Sequence, residues 1–199
     1  ICVSPNRVFV AKAVREAFTQ KVVDRARAAK VGFDKHADIT IGPVIDGRAW
    51  TRLKGLVDDA VARGATLLAG GERPTGMNAG HFLAPTVLAG VTETMAVYRE
   101  ETFGPIVSIV PFDDKTDLLR MANDCEEGGL TAYVFTRDLA RAEHFSAHLR
   151  YGEIQINGVK YDIDLPHGGI GQSGVGHDCS ALALHDYLVQ KRITRALDT

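Results

Sequence analysis

The sequence has 199 residues, 45% of them hydrophobic and 24% charged, and its 23 basic against 25 acidic side chains leave a formal charge of −2. That composition describes a globular chain long enough to bury a sizeable core, and it removes disorder, nucleic-acid binding and a membrane-surface role as leading readings. No apolar run approaches the roughly 18 residues that a membrane span requires.

In chain order, Val8-Phe9-Val10 reads as a strand, and Lys12 to Lys30 as a helix with Val14, Phe18, Val22 and Ala26 on one stripe. A second helix is expected from Arg48 to Arg63, burying Trp50, Leu53, Leu56, Val57 and Val61, and ending at Gly64 before a strand at Thr66 to Ala69. The stretch from Gly70 to Gly80 is dense in turn formers and reads as an exposed loop. Strands follow at Phe82 to Leu88 and Ile106 to Val110, a helix at Lys115 to Asp124, a strand at Thr131 to Phe135, a helix at Leu139 to Leu149 and a strand at Glu153 to Ile156. Asp178 is read as the N-cap of a short helix ending near Tyr187, and the alternating tail Leu188 to Leu197 as an edge strand. Repeated βα units point to an α/β fold, a three-layer αβα domain with a mostly parallel sheet.

Cys2, Cys125 and Cys179 are odd in number and widely spaced, which fits neither a zinc site nor a disulfide framework and makes a reduced, cytoplasmic compartment the expectation. The chain opens on Ile1 with neither an initiator Met nor a signal peptide, so it is expected to be a fragment or a processed chain. On spacing alone Cys2 reads as a small hydrophobe or as a nucleophile, and Cys125 as a packing residue. His177, Asp178 and Cys179 mimic a catalytic set, but adjacent residues rarely meet in the needed geometry. His144 and His148 lie four apart on a helix without a completing carboxylate, so a solvated face is the better reading than a metal site. Gly169 to Gly174 has the G-x-G-x-x-G spacing, yet Pro166 breaks the preceding segment and no second βα unit follows, so it is read as a decoy. For Glu100-Glu101-Thr102-Phe103-Gly104-Pro105 two readings stand side by side: a charged turn with Phe103 plugging the core, or a functional loop.

Taken in order, several segments resemble the C-terminal catalytic half of the NAD(P)-dependent aldehyde dehydrogenases. They are Ile1 to Arg7, Ile41 to Ile45, Phe82 to Leu88, Glu100 to Pro105, Ala122-Asn123-Asp124, Tyr151-Gly152, Ile156-Asn157, and Pro166-His167-Gly168-Gly169 with Ser173-Gly174. The resemblance implies that Cys2 is the nucleophile and that its backbone N–H supplies half of an oxyanion hole. It implies that Glu101 binds the ribose of NAD or NADP, that Phe103 packs beside the nicotinamide, and that Tyr161 and His167 line the aldehyde pocket. Three positions depart from the family pattern: His167 stands where many members have Phe, and His177-Asp178 where many carry Arg-Glu. The Pro-His-Gly-Gly loop with Asp178 and Asp186-Tyr187 is more similar to members acting on aminoaldehydes, and semialdehydes also fit.

The expectation is therefore a catalytic domain over residues 1–187 and a C-terminal arm over 188–199 that joins an intersubunit strand in a homodimer or homotetramer. The N-terminal nucleotide-binding domain, which would hold most of the NAD or NADP, is expected to lie outside the chain, and the 199 residues alone are expected to be inactive. The intact protein would oxidise a small aldehyde to its carboxylate. Two other readings are a cysteine-dependent esterase or acyl-transfer domain acting without nicotinamide, and a non-catalytic assembly domain.

Overall fold

The computed structural model describes residues 1–34, 38–125 and 128–196, which form two compact units, Ile1–Glu127 and Gly128–Thr199. In the first, β1 (Val8–Ala11), β2 (Thr66–Ala69), β3 (Thr86–Ala89) and β4 (Ile106–Phe112) make a sheet in the order β1-β4-β3-β2. The β1/β4 and β3/β4 pairs are parallel, and β2 lies antiparallel on the β3 edge with a bulge between Leu67 and Ala69. The mostly parallel sheet expected from the βα alternation is thus present.

Side chains on β4 alternate between the two faces, as the period of two requires. Ile106 and Val110 join one cluster with Leu53, Leu56, Val57 and Ala60 of α2 (Gly47–Ala62), Val97 and Tyr98 of α3 (Ala96–Arg99), and Met121 of α4 (Leu118–Asn123). Ile109 turns the other way and meets Val10, Val87 and Val23 of α1 (Arg15–Ala28). Helices therefore cover both faces of this sheet, the αβα layering of a parallel sheet buried on both sides.

Local chemistry sets where the helices begin. Asp46 caps α2 by accepting the Ala49 N–H at 2.8 Å, which holds its carboxyl below the ordinary carboxylate range, with the Arg48 side chain adding to the effect. The α4 helix starts at Leu118 and not at Lys115, because Asp113 folds the Lys115–Thr116 segment into a turn and Asp117 takes the cap. The α2 face also differs from expectation: Ala60 is buried and Val61 exposed, so the stripe runs Leu53, Leu56, Val57, Ala60. On α1 only the second half packs, through Val22, Val23 and Ala26, while Val14 and Phe18 face outward.

Phe82 to Pro85 was expected to be strand. Phe82 and Leu83 are buried, but the backbone bonds of this stretch go elsewhere: Trp50 Nε1 donates to the Phe82 carbonyl and the Ala84 N–H to that of Glu72. Pairing starts only at Thr86.

The second unit holds a parallel pair, β5 (Thr131–Val134) and β6 (Glu153–Ile156), joined through α5 (Leu139–His148). Asp138 caps α5 through the Arg141 N–H. Beyond β6 the chain is mostly loop, with a single 3-10 turn at Gly171–Ser173 and one turn of helix, α6 (Ala183–Asp186). Asp178 does not cap that helix; its backbone is bridged to His167, and the left-handed conformations of Cys179 and Ser180 break the chain before the helix begins. Among the described residues, 188–196 pair with no strand.

Candidate active site

Cys2 sits in a turn closed by the Ser4 N–H donating to the Ile1 carbonyl at 3.0 Å, and its residue is exposed. Downstream of this turn the loop is fastened twice. The Arg7 guanidinium donates to the carbonyls of Met121, Ala122 and Asp124 at 2.9 to 3.1 Å, satisfying groups that the end of α4 leaves open. It also lies 4.9 Å from the Tyr98 ring centroid and 5.6 Å from that of Phe9.

Asn6 makes the second attachment. Its Nδ2 donates to the Glu100 carbonyl at 2.7 Å, and its Oδ1 accepts from the Thr102 N–H at 2.9 Å and the Thr102 hydroxyl at 2.8 Å. From the other side Arg52 of α2 donates to the carbonyls of Glu101 at 2.9 Å and Thr102 at 2.6 Å. Neither Asn6 nor Arg52 stood out in the sequence, since side-chain hydrogen bonds across 49 to 96 residues leave no spacing signal.

Between these grips Thr102 is 4% exposed, while Glu101 and Phe103 on either side face outward. Phe103 adopts a left-handed backbone at φ 44° and is 60% exposed. The reading of Phe103 as a core plug is therefore wrong, and Thr102 occupies the buried place. A left-handed non-glycine residue is strained and persists where its surroundings over-determine it. Here the next residue is fixed too: a Cβ on Gly104 would stand 2.5 Å from Leu53 Cδ1, so α2 packs directly against the loop.

In the second unit Tyr161 and His167 come together, their rings edge to face at 5.7 Å between centroids. His167 Nδ1 lies 3.2 Å from Glu153 Oε2 on β6, and the same oxygen accepts from the Thr131 hydroxyl at 3.1 Å. Gln155 Nε2 donates to the other Glu153 oxygen at 2.6 Å. A carboxylate with these partners fixes the imidazole ring. Tyr161 shares a 2.9 Å hydrogen bond with Cys179 Sγ, and chiefly through that bond its phenol is pushed up to about 12. Glu153 is the residue that sequence reasoning missed here.

The other sequence candidates resolve simply. Cys179 Sγ is engaged by the Tyr161 hydroxyl, and the backbone N–H of His177 donates to Asp186. His144 and His148 stack at 4.5 Å, with His148 Nδ1 2.8 Å from the His144 carbonyl oxygen. Among the described residues no group of three His, Cys, Asp or Glu is placed to hold a metal. The glycines of Gly169 to Gly174 open no long helix; a Cβ on Gly169 would run into Ser173, while Gly171 and Gly174 hold left-handed backbones at φ 60° and 111°.

Comparison with known proteins adds an independent line. The sequence model of the aldehyde dehydrogenase family matches residues 1–193. A non-phosphorylating aspartate-semialdehyde dehydrogenase of Halomonas elongata is 38% identical over 96% of this chain and 38% of its own length. The crystal structure of succinate-semialdehyde dehydrogenase from Burkholderia pseudomallei superposes with a TM-score of 0.89 at 38% identity, covering 95% of this chain and 39% of that one. That of Mycobacterium tuberculosis aldehyde dehydrogenase complexed with NAD+ gives 0.87 at 32% identity, covering 94% and 38%. The chain thus spans about two fifths of the length of the proteins it matches.

Proposed function

Because this chain belongs to the aldehyde dehydrogenase family, we propose that it is the cysteine-bearing part of an enzyme that oxidises a small aldehyde to its carboxylate with NAD or NADP. The observation that carries the reading is an exposed thiol, Cys2, on a loop whose far end is bonded to the backbone around an outward-facing carboxylate, Glu101. The thiolate of Cys2 attacks the aldehyde carbonyl carbon, forming a C–S bond and an oxyanion toward which the Cys2 backbone N–H donates. A bound NAD or NADP, held through Glu101 and Phe103, would supply the hydride acceptor, and loss of hydride from the thiohemiacetal carbon leaves a thioester on Cys2. Water then attacks the thioester carbonyl; the C–S bond breaks and restores the thiolate, and the two protons of the water pass to solvent as the carboxylate leaves.

The residues present suit a dinucleotide. A carboxylate is a two-oxygen acceptor matched to a ribose diol, and Glu101 carries one on a backbone held from both sides. Phe103 offers an exposed ring for the face of a nicotinamide. Most other nucleotide contacts are assigned to polypeptide beyond these 199 residues, so the chain alone is expected not to turn over.

Tyr161 and His167 are assigned to aldehyde binding by the resemblance of their loop, with semialdehydes or aminoaldehydes as the substrate class. Residues 1–187 form the catalytic part and 188–199 an arm that pairs with a second copy in a cytoplasmic homodimer or homotetramer. The alternating, exposed Val189 and Ile193 suit a strand that gains its partner from another chain. Replacing Cys2 by Ala in the intact protein is expected to abolish aldehyde-dependent reduction of the nucleotide; turnover retained at the wild-type rate contradicts the assignment.

A further inference from the structure

The direction in which a side chain leaves the backbone is set by the two peptide planes that meet at its α-carbon. At Glu101 both planes are held by side chains remote in sequence. The plane before it is held at the Glu100 carbonyl by Asn6 Nδ2. The plane after it is held at both ends, the Glu101 carbonyl by Arg52 Nη1 and the Thr102 N–H by Asn6 Oδ1. Arg52 Nη2 on the Thr102 carbonyl then fixes the plane that leads into the left-handed Phe103. The partners also fix which way round the Asn6 amide sits, because the Thr102 N–H can only donate and the Glu100 carbonyl only accept.

We propose that Asn6 and Arg52 are positioning residues for the nucleotide site: they clamp the backbone of Glu101 so that its carboxylate is aimed before the nucleotide arrives. This rests on the reading of Glu101 as a ribose ligand. A ligand group already ordered in the free protein leaves less freedom to be lost on binding, so the clamp contributes to affinity without touching the nucleotide. It also couples two parts of the chemistry. Asn6 lies four residues beyond Cys2, on the loop that Arg7 ties to α4, so one amide side chain links the segment carrying the nucleophile to the segment carrying the carboxylate.

The test uses the intact protein and three variants, Asn6→Ala, Arg52→Lys and Glu101→Ala. Asn6→Ala removes all three amide bonds; Arg52→Lys keeps the charge but loses the fork that reaches two carbonyls. Each is expected to weaken NADH binding by about tenfold in a fluorescence titration without aldehyde. Asn6→Ala and Arg52→Lys are also expected to speed hydrogen exchange at the Thr102 amide, whose bond to Asn6 the clamp maintains. Thr102→Ser retains both donors to Asn6 and is expected to bind as the wild type does. If Asn6→Ala does not fold, Arg52→Lys carries the same reading. Unchanged NADH affinity in Asn6→Ala and Arg52→Lys, with affinity lost in Glu101→Ala, overturns the clamp and leaves the ribose assignment standing. Unchanged affinity in Glu101→Ala overturns the ribose assignment itself.

Discussion

The loop around Glu101 and the loop around His167 hold their side chains by opposite means. In the first, the backbone is fixed and the outward side chains inherit their direction: Asn6 and Arg52 grip peptide groups, Thr102 is buried and Gly104 lies against Leu53 of a packed helix. In the second, a two-stranded sheet offers little support, and side chains hold one another, Glu153 to His167 and Cys179 to Tyr161. The first arrangement suits the role proposed for Glu101, whose carboxylate must point one way before a cofactor binds. The second suits a surface whose chemistry changes when one or two side chains change, which fits the departure from Phe to His at position 167.

If that contrast is right, truncating the core beneath the first loop should have the largest effect. Leu53 is fully buried, and Leu53→Ala is expected to cost about 2–5 kcal/mol in denaturant unfolding, since the transfer and cavity terms add. The exposed Leu184 of the second unit, replaced by Ala, should change stability by no more than about 0.5 kcal/mol. Equal losses from the two would erase the difference.

A smaller effect is expected where the second loop relies on close approach. Gly152→Ala drives a Cβ into the Gly168 carbonyl oxygen, a contact with backbone that no rotamer relieves. The expected cost is about 1–3 kcal/mol, with faster hydrogen exchange at the His167 and Asp178 amides that pair across the bridge. Wild-type exchange at both amides would show that the loop does not depend on this contact.

The smallest effect concerns the Tyr161–Cys179 bond. With its phenol pushed from 10.0 to about 12, Tyr161 stays neutral where an ordinary tyrosine ionises. A folded value above the unfolded one means that this contribution to stability is complete below pH 10 and disappears as pH rises through about 12. In an ultraviolet titration, Cys179→Ala should move one tyrosine midpoint down toward 10; an unchanged curve means the bond is not made in solution.

How much of this was legible in the sequence follows from the range of the interactions. The α2 stripe of Leu53, Leu56 and Val57 is a short-range periodicity and was read correctly apart from the exchange of Val61 for Ala60, and the apolar run from Ile106 to Val110 was read as the strand that extends to Phe112. Phe82 and Leu83 looked like strand because burial and strand pairing share the same apolar signal, yet the backbone of Phe82 and Ala84 bonds to Trp50 and Glu72, which no local pattern encodes. The assignment of Cys2, Glu101 and Phe103 came from family resemblance, and spacing alone left each of them open. Asn6, Arg52 and Glu153 were invisible because a single side chain bonded to a distant partner leaves no period and no motif.

The most direct measurement of the central claim is an acid quench of the intact protein during turnover of a small aldehyde with NAD or NADP, followed by peptide mass spectrometry. The account predicts that the acyl group of the substrate is found as a thioester on the peptide that carries Cys2, and that this adduct disappears when nucleotide is omitted. An acyl adduct on Cys179 or Cys125 in its place, or one on Cys2 that forms equally well without nucleotide, would contradict it.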